Sequence, residues 1–187
     1  LYDYDGVKYL DAISSWWVNL FGHSNAYINK SIKNQLSQLE HVLLAGFTHE
    51  PAINLSERLI KLTPSKITKC FFTDNGSSSI DAAMKMSYHY WQNKKKKSKV
   101  KFIALSNSYH GETLGSLSVS NIDLYKKTYE SILKETIIVD SPDSYNKSEN
   151  VSEEKHAEIM FDKMYQTIKK NHHDVCAVIV EPVSYTH

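Results

Sequence analysis

The hydrophobic pattern changes character at Lys69. Before it, Leu1 to Ala12 alternate apolar and polar residues around Asp5-Gly6, and Asp-Gly between alternating segments predicts a β-hairpin. An apolar, aromatic stretch, SSWWVNLFGHS, follows as extended chain. Asn25 to His41 carries Ile28, Ile32, Leu36 and Leu39 three or four apart, the spacing of one helical face. HEPAINLSERLIKL (49–62) predicts a second helix, with Pro51 in the first turn, where a missing N–H costs nothing. After Lys69, short apolar runs alternate with helical patterns. KCFFTD leads through NGSSS into the helix IDAAMKMSYHYW, and KFIALS (101–106) and ETIIVD (135–140) are strands. A polar loop at 141–152 precedes a helix over Glu153–Asn171, and VCAVIVEP (175–182) is a fourth strand. Continuously apolar strands between helices predict an α/β fold whose sheet is covered on both faces.

Composition narrows the class. At 41% apolar and 23% charged residues the chain has the makeup of a globular protein. Lys plus Arg is 22 and Asp plus Glu is 21, a near-balance that gives no support to a nucleic-acid partner. The Lys94–Lys97 run lies between a helix and a strand and reads as a solvated loop. No apolar run approaches the roughly 20 residues needed to span a bilayer, and no charged-then-apolar leader opens the chain. No membrane partner and a cytoplasmic location are therefore expected. Cys70 and Cys176 each sit in an apolar run and are expected to be buried thiols rather than a disulfide or metal site. The chain opens at Leu1 inside an alternating segment and closes at His187 just past an apolar run, so both ends are expected to be cut.

Four places carry candidate chemistry. In TDNGSSSIDAAMKMS a strand is expected to end at Thr73-Asp74, Gly76 to let the backbone turn sharply, and Ser77 to Ser79 to open a helix. The first amides of a helix are unpaired, and with the helix dipole they attract an anion such as phosphate. The same residues also fit a plain turn with a Ser N-cap. The second place is Ser108-Tyr109-His110-Gly111-Glu112-Thr113, after the strand KFIALS. Ligands of open α/β sheets bind beyond the carboxyl ends of strands. Tyr109 there is either a stacking surface for a planar ring or a packed loop aromatic, and His110 either a functional or a hydrogen-bonded structural histidine. In the third, Trp16-Trp17, neighbours on extended chain face opposite ways, so one can pack inward while the other lines a pocket; two core aromatics is the competing reading. The fourth, Glu181-Pro182, puts a carboxylate at the end of a buried strand, where sites form or where a charge meets solvent.

Other chemistries fail on spacing. The nine His are scattered, and there is no H-E-x-x-H or C-x-x-C, so no metal is expected. His172-His173 falls at a helix C-terminus, where a cation is favoured. The phosphate motifs G-x-x-x-x-G-K-[ST] and G-x-G-x-x-G are missing, as is the nucleophile elbow G-x-S-x-G.

In order, YLDAISSWWVNLFGH, GFTHEPA, FFTDNGSSSIDAAMKM, NSYHGETLGSLSVS and VIVEP resemble the class III, or ω-type, aminotransferases, from about Tyr9 to Pro182. The resemblance implies pyridoxal phosphate (PLP) fold type I. It implies that residues 1–47 belong to a small domain and its linking helix, and 48–187 to the first part of a cofactor-binding large domain. It further implies that Gly76 and Ser77 hold the PLP phosphate. Tyr109 would stack on the pyridine ring and border the substrate, and Glu181 would lie near the cofactor. SSWW, THxPA and AMKM look most like the branch that converts 8-amino-7-oxononanoate to 7,8-diaminononanoate in biotin synthesis, with S-adenosylmethionine or lysine as amino donor. In that branch Trp16 would line the substrate pocket and Trp17 support it. GFTHEPA would lie near the interface of a homodimer.

Two departures qualify the resemblance. The family's Asp and its cofactor-anchoring Lys lie beyond this sequence, and after Glu-Pro the family continues with a Gly-rich loop where this chain reads Val183-Ser184-Tyr185-Thr186-His187. A polypeptide of these residues alone is expected to be inactive and weakly stable. The competing expectations are an ω-aminotransferase acting on an ornithine-, diamine- or γ-aminobutyrate-like substrate, and a non-catalytic remnant.

Overall fold

The structure is a computed structural model and describes residues 1–182. The segment from Val183, where the sequence departs from the family's Gly-rich continuation, lies outside the described residues. The chain divides into two compact units, one covering Leu1–Cys70 and the other starting at Phe71.

In the first unit the predicted hairpin is a single antiparallel bridge, Tyr2 to Lys8. Its turn is held by Asp3, whose carboxylate accepts from the Val7 N–H at 2.8 Å and the Tyr9 hydroxyl at 2.9 Å. The stretch expected to be extended is instead one short helical turn, α1 (Ser14–Trp17), of left-handed sense. Its φ angles are 50°, 48°, 66° and 66°, and none of the four residues is glycine. Left-handed backbone costs a residue with a Cβ about 1–2 kcal/mol, so something must hold this turn. Helix α2 (Ala26–Leu36) starts where Asn25 accepts from the Tyr27 and Ile28 amides. It stops short of His41 because Ser37 and Gln35 turn back onto the carbonyls of Asn34 and Leu39, an alternative to continuing the helix. Helix α3 (Glu50–Leu62) is capped by His49, and Pro51 sits in its first turn as expected. No described residue of this unit is buried.

The second unit contains the core. Its elements are α4 (Gly76–Asn93), β1 (Lys101–Leu105), α5 (Leu114–Val119), α6 (Asp123–Lys126), a 3-10 turn at Lys127–Ile132, β2 (Ile137–Val139), α7 (Glu153–Asn171) and β3 (Val175–Ile179). The strands form a parallel sheet in the order β2-β1-β3. Alternate β1 residues face opposite ways. Phe102 and Ala104 pack with Met84 of α4, Val119 of α5 and Cys176. Ile103 and Leu105 pack with Val139, Val175 and the α7 residues Met164 and Ile168. Helices on both faces are what the continuous apolar strands predicted. The run Lys69–Asp74, expected to be a strand, is paired to no neighbour among the described residues, and Phe71 is 68% exposed. Cys176 is a buried thiol whose burial raises its pKa, whereas Cys70 is only half-buried; both are free.

β3 carries a bulge. Lys101 pairs with Val175 but Phe102 with Ala177, which leaves Cys176 as the extra residue. Its carbonyl is met by the Trp91 indole N–H at 2.7 Å. Trp91→Phe should therefore leave a buried carbonyl without a donor and lower unfolding free energy by about 1–3 kcal/mol. Chemical denaturation of the full-length protein checks this.

Candidate functional site

Three segments of the second unit meet beyond the carboxyl ends of β1 and β3. The first is the start of α4. Its N-cap is Asn75, not a serine: the Asn75 side chain accepts from the Ser78 N–H at 2.9 Å. Gly76 is the first helical residue and has an ordinary φ, so it supplies no sharp turn. What it supplies is room, since a Cβ built there has no atom within 4 Å. The Gly76 and Ser77 amides are the first of an 18-residue helix and stand at its positive end. Thr73 and Ser79 share a short hydroxyl–hydroxyl hydrogen bond that ties the approach to the helix.

The second segment is the loop after β1. Asn107 turns it in the left-handed region, with φ 58°, and its N–H donates to the Asn121 side chain at 3.2 Å. Buried Ser108 donates to the Leu105 carbonyl at 2.8 Å. The Tyr109 ring lies 5.4 Å from that of Tyr125, and its hydroxyl donates to Glu112 at 2.9 Å. His110 donates its N–H to Ser120 Oγ at 2.8 Å, and its ring is buried with Nε2 unpartnered among the described residues. That burial lowers its pKa, against the opposing pull of the Glu181 charge, so the imidazole is neutral.

The third segment ends β3. Glu181 Oε2 accepts from the Tyr109 N–H at 2.8 Å, which locks the loop to the strand end. The first and second segments are joined as well. The Glu112 N–H donates to Ser77 Oγ at 3.2 Å, and Gly111, at φ 118°, lies so close to Ser77 that a Cβ there would fall on the Ser77 hydroxyl and 2.7 Å from Ser77 Cβ. Three of the residues singled out in the sequence, Ser77, Tyr109 and Glu181, thus come together in one hydrogen-bonded set through Glu112, with Gly76 next to Ser77.

That set fits a planar cofactor carrying a phosphate. It has open space at a helix start with a hydroxyl beside it, and an aromatic ring held by its own backbone and hydroxyl. The sequence reading missed Glu112, Ser120, Tyr125 and the role of Gly111. Gly111, Glu112 and Ser120 all fall inside the quoted segment NSYHGETLGSLSVS, but only the glycine signals a backbone role, and Tyr125 left no signal. A cavity of about 620 Å³ lined by Lys126, Lys134 and Ile138 lies at the β2 side and shares none of these residues. Among the described residues no His, Cys, Asp and Glu cluster could hold a metal, and no helix is long and apolar enough to cross a membrane.

Trp16 and Trp17 belong to the first unit. Their rings meet edge to face at 5.1 Å, and Trp16 is 70% exposed. The left-handed turn, not an extended chain, sets their directions.

Comparison with known proteins places this geometry in a family. The family described as Aminotransferase class-III matches residues 1–185. The chain is 46% identical, over 185 residues, to the adenosylmethionine-8-amino-7-oxononanoate aminotransferase of Helicobacter pylori, covering 98% of this chain and 40% of that protein. The crystal structure of the enzyme of that name from Methanocaldococcus jannaschii superposes with a TM-score of 0.81 at 34% identity, over 95% of this chain and 38% of that one. An amine transaminase from an uncultivated Pseudomonas species, in its PLP-bound form, superposes with a TM-score of 0.85 at 25% identity, over 98% of this chain and 42% of that one. The chain spans about two-fifths of the length of the curated relatives it matches.

Proposed function

The chain belongs to the class-III aminotransferase family, and from that premise we propose that the protein carrying it moves the amino group of S-adenosylmethionine to 8-amino-7-oxononanoate, with PLP as cofactor. The observation that carries the reading is the 46% identity to a relative bearing that name, sustained over 98% of the chain. The protein is read as a cytoplasmic homodimer that takes small-molecule substrates.

PLP supplies an electron sink on which an amino group can be stored between the two half-reactions. This chain's residues hold and shape the site. The Gly76 and Ser77 amides and the Ser77 hydroxyl bind the phosphate, at the helix end that favours negative charge. The Tyr109 ring borders cofactor and substrate, and the bonds from its N–H to Glu181 and from its hydroxyl to Glu112 fix its plane. Neutral His110 adds no competing positive charge beside Glu181, which stays free to accept from Tyr109. Trp16 lines the pocket for the oxononanoate chain, and Trp17 supports it. The proton-moving Lys belongs to the part of the enzyme these residues do not include.

The test is an assay of the full-length protein on 8-amino-7-oxononanoate with S-adenosylmethionine, and separately with lysine, as donor. Ornithine, diamines and γ-aminobutyrate are run beside them. Turnover confined to the latter group would replace this reading with that of a general ω-aminotransferase, to which the 0.85 TM-score with an amine transaminase also corresponds. In the same protein, Ser77→Ala should weaken PLP binding about tenfold by removing one hydrogen bond to a charged group. Titration of the apoenzyme with PLP, followed by absorbance, reads this directly.

A further inference from the structure

We propose that Asp11 is a positioning residue: its carboxylate, bonded to Ser15 and His23, holds the Trp16–Trp17 turn in its left-handed form and so sets the face that the tryptophans present to substrate. This rests on the reading above that Trp16 lines the substrate pocket.

The turn needs a holder. Four consecutive residues with side chains stand at positive φ, which single Asn or Asp residues visit but runs of other residues do not. No described residue of this unit is buried, so packing among the described residues does not impose the conformation. Asp11 is where the polar contacts converge. Its Oδ2 accepts from Ser15 Oγ at 2.7 Å and meets His23 Nε2 at 2.7 Å. Ser15 Oγ and His23 Nε2 are themselves 3.4 Å apart, which closes a three-membered ring of contacts. The Asp11 side chain is only 11% exposed, against 39% for His23. Bonds from the Ser15 backbone, the Ser15 hydroxyl and His23 hold the Asp11 carboxyl far below the ordinary carboxylate range, so it remains an anion. The backbone adds Ser14 N–H to Asp11 O at 3.3 Å before the turn and Asn19 N–H to Ser14 O at 3.0 Å after it. The clamp therefore reaches from Asp11, ahead of the turn, to His23, with both tryptophans between its ends.

The experiment uses the full-length enzyme labelled with 5-fluorotryptophan, its Trp16 and Trp17 resonances assigned from Trp16→Phe and Trp17→Phe. Asp11→Ala should move or broaden those two resonances and leave the rest in place. It should raise KM for the keto acceptor about tenfold with a much smaller change in kcat, because the reacting groups are untouched. Asp11→Asn, which keeps an acceptor, should lie between Asp11→Ala and the parent. Adding Ser14→Gly to Asp11→Ala should recover part of the KM loss, because glycine adopts positive φ without penalty. If the two resonances stay in place in Asp11→Ala, the proposal fails. It fails equally if every resonance shifts together, or if KM for donor and acceptor rises alike with no recovery from Ser14→Gly. Should the parent enzyme not use 8-amino-7-oxononanoate, the resonances still decide the clamp, so failure of the activity reading is separable from failure of this one.

Discussion

Gly111→Ala is expected to abolish tight PLP binding and to destabilise the fold by about 3 kcal/mol, from overpacking and strain together. Two costs coincide at this residue. Its φ of 118° is one that residues with a Cβ rarely adopt, and the added carbon would fall on Ser77 Oγ, 2.7 Å from Ser77 Cβ and 2.9 Å from Ser77 Cα. The last distance matters most. A side-chain tip can rotate away, whereas the Ser77 backbone belongs to the first turn of α4 and cannot yield without moving the helix start. The loop must move instead, and it carries the Glu112 N–H that donates to Ser77 and the Tyr109 N–H that donates to Glu181. The loop's tie to the start of α4 and its tie to the end of β3 would be strained at once. PLP titration and chemical denaturation of the full-length variant measure the two effects. Ser77→Gly added to Gly111→Ala removes the collisions with the Ser77 side chain but neither the clash with its backbone nor the φ cost. It should restore some stability and little cofactor affinity. Parental PLP affinity in Gly111→Ala would show that the loop and helix start are not coupled as the structure indicates.

The sheet and its helices were legible because their signals are local. β1 and β3 are unbroken apolar runs, α7 spans the residues its spacing indicated, and Pro51 and Asn25 mark helix starts by chemistry that acts within four residues. The position of Tyr109 and Glu181 past strand ends followed from the general rule for open parallel sheets. What the sequence did not disclose depends on partners far along the chain. The tie between Tyr109 and Glu181 spans 72 residues and that between Ser77 and Glu112 spans 35, and neither has a period or a spacing. The turn at Ser14–Trp17 was missed for another reason. Ser-Ser-Trp-Trp has no glycine or asparagine to announce positive φ, and the groups that hold it, Asp11 and His23, look like ordinary surface residues. Lys69–Asp74 shows the converse. Its apolar pattern is that of a strand, but a strand is defined by a neighbour, and among the described residues none pairs with it.

A polypeptide of these 187 residues, produced by itself, should melt without a single cooperative transition, bind a hydrophobic dye, and show no amino transfer in the presence of PLP. The described core comprises Met84, Phe102 to Leu105, Leu117, Val119, Val139, Val175 and Cys176, all of it in the second unit. The first unit has apolar helix faces and nothing buried: Ile28, Ile32 and Leu36 line one side of α2, 39%, 53% and 59% exposed. In α7, Phe161 is 68% exposed although Met164 and Ile168 pack on the sheet. Apolar surface of this extent is ordinarily covered in a folded protein or marks an interface. The curated relatives are some two and a half times as long as the stretch they share with this chain, so they have residues to cover it. Among the described residues β2 and β3 are the edges of the sheet, and sheet edges favour association with other chains. Circular dichroism against temperature, with dye fluorescence alongside, tests the expectation. One sharp transition with low dye binding would mean that the small core and local caps suffice. The exposed faces would then be free surface on a self-sufficient unit, and the site at Ser77, Tyr109 and Glu181 could be studied in it without the rest of the enzyme.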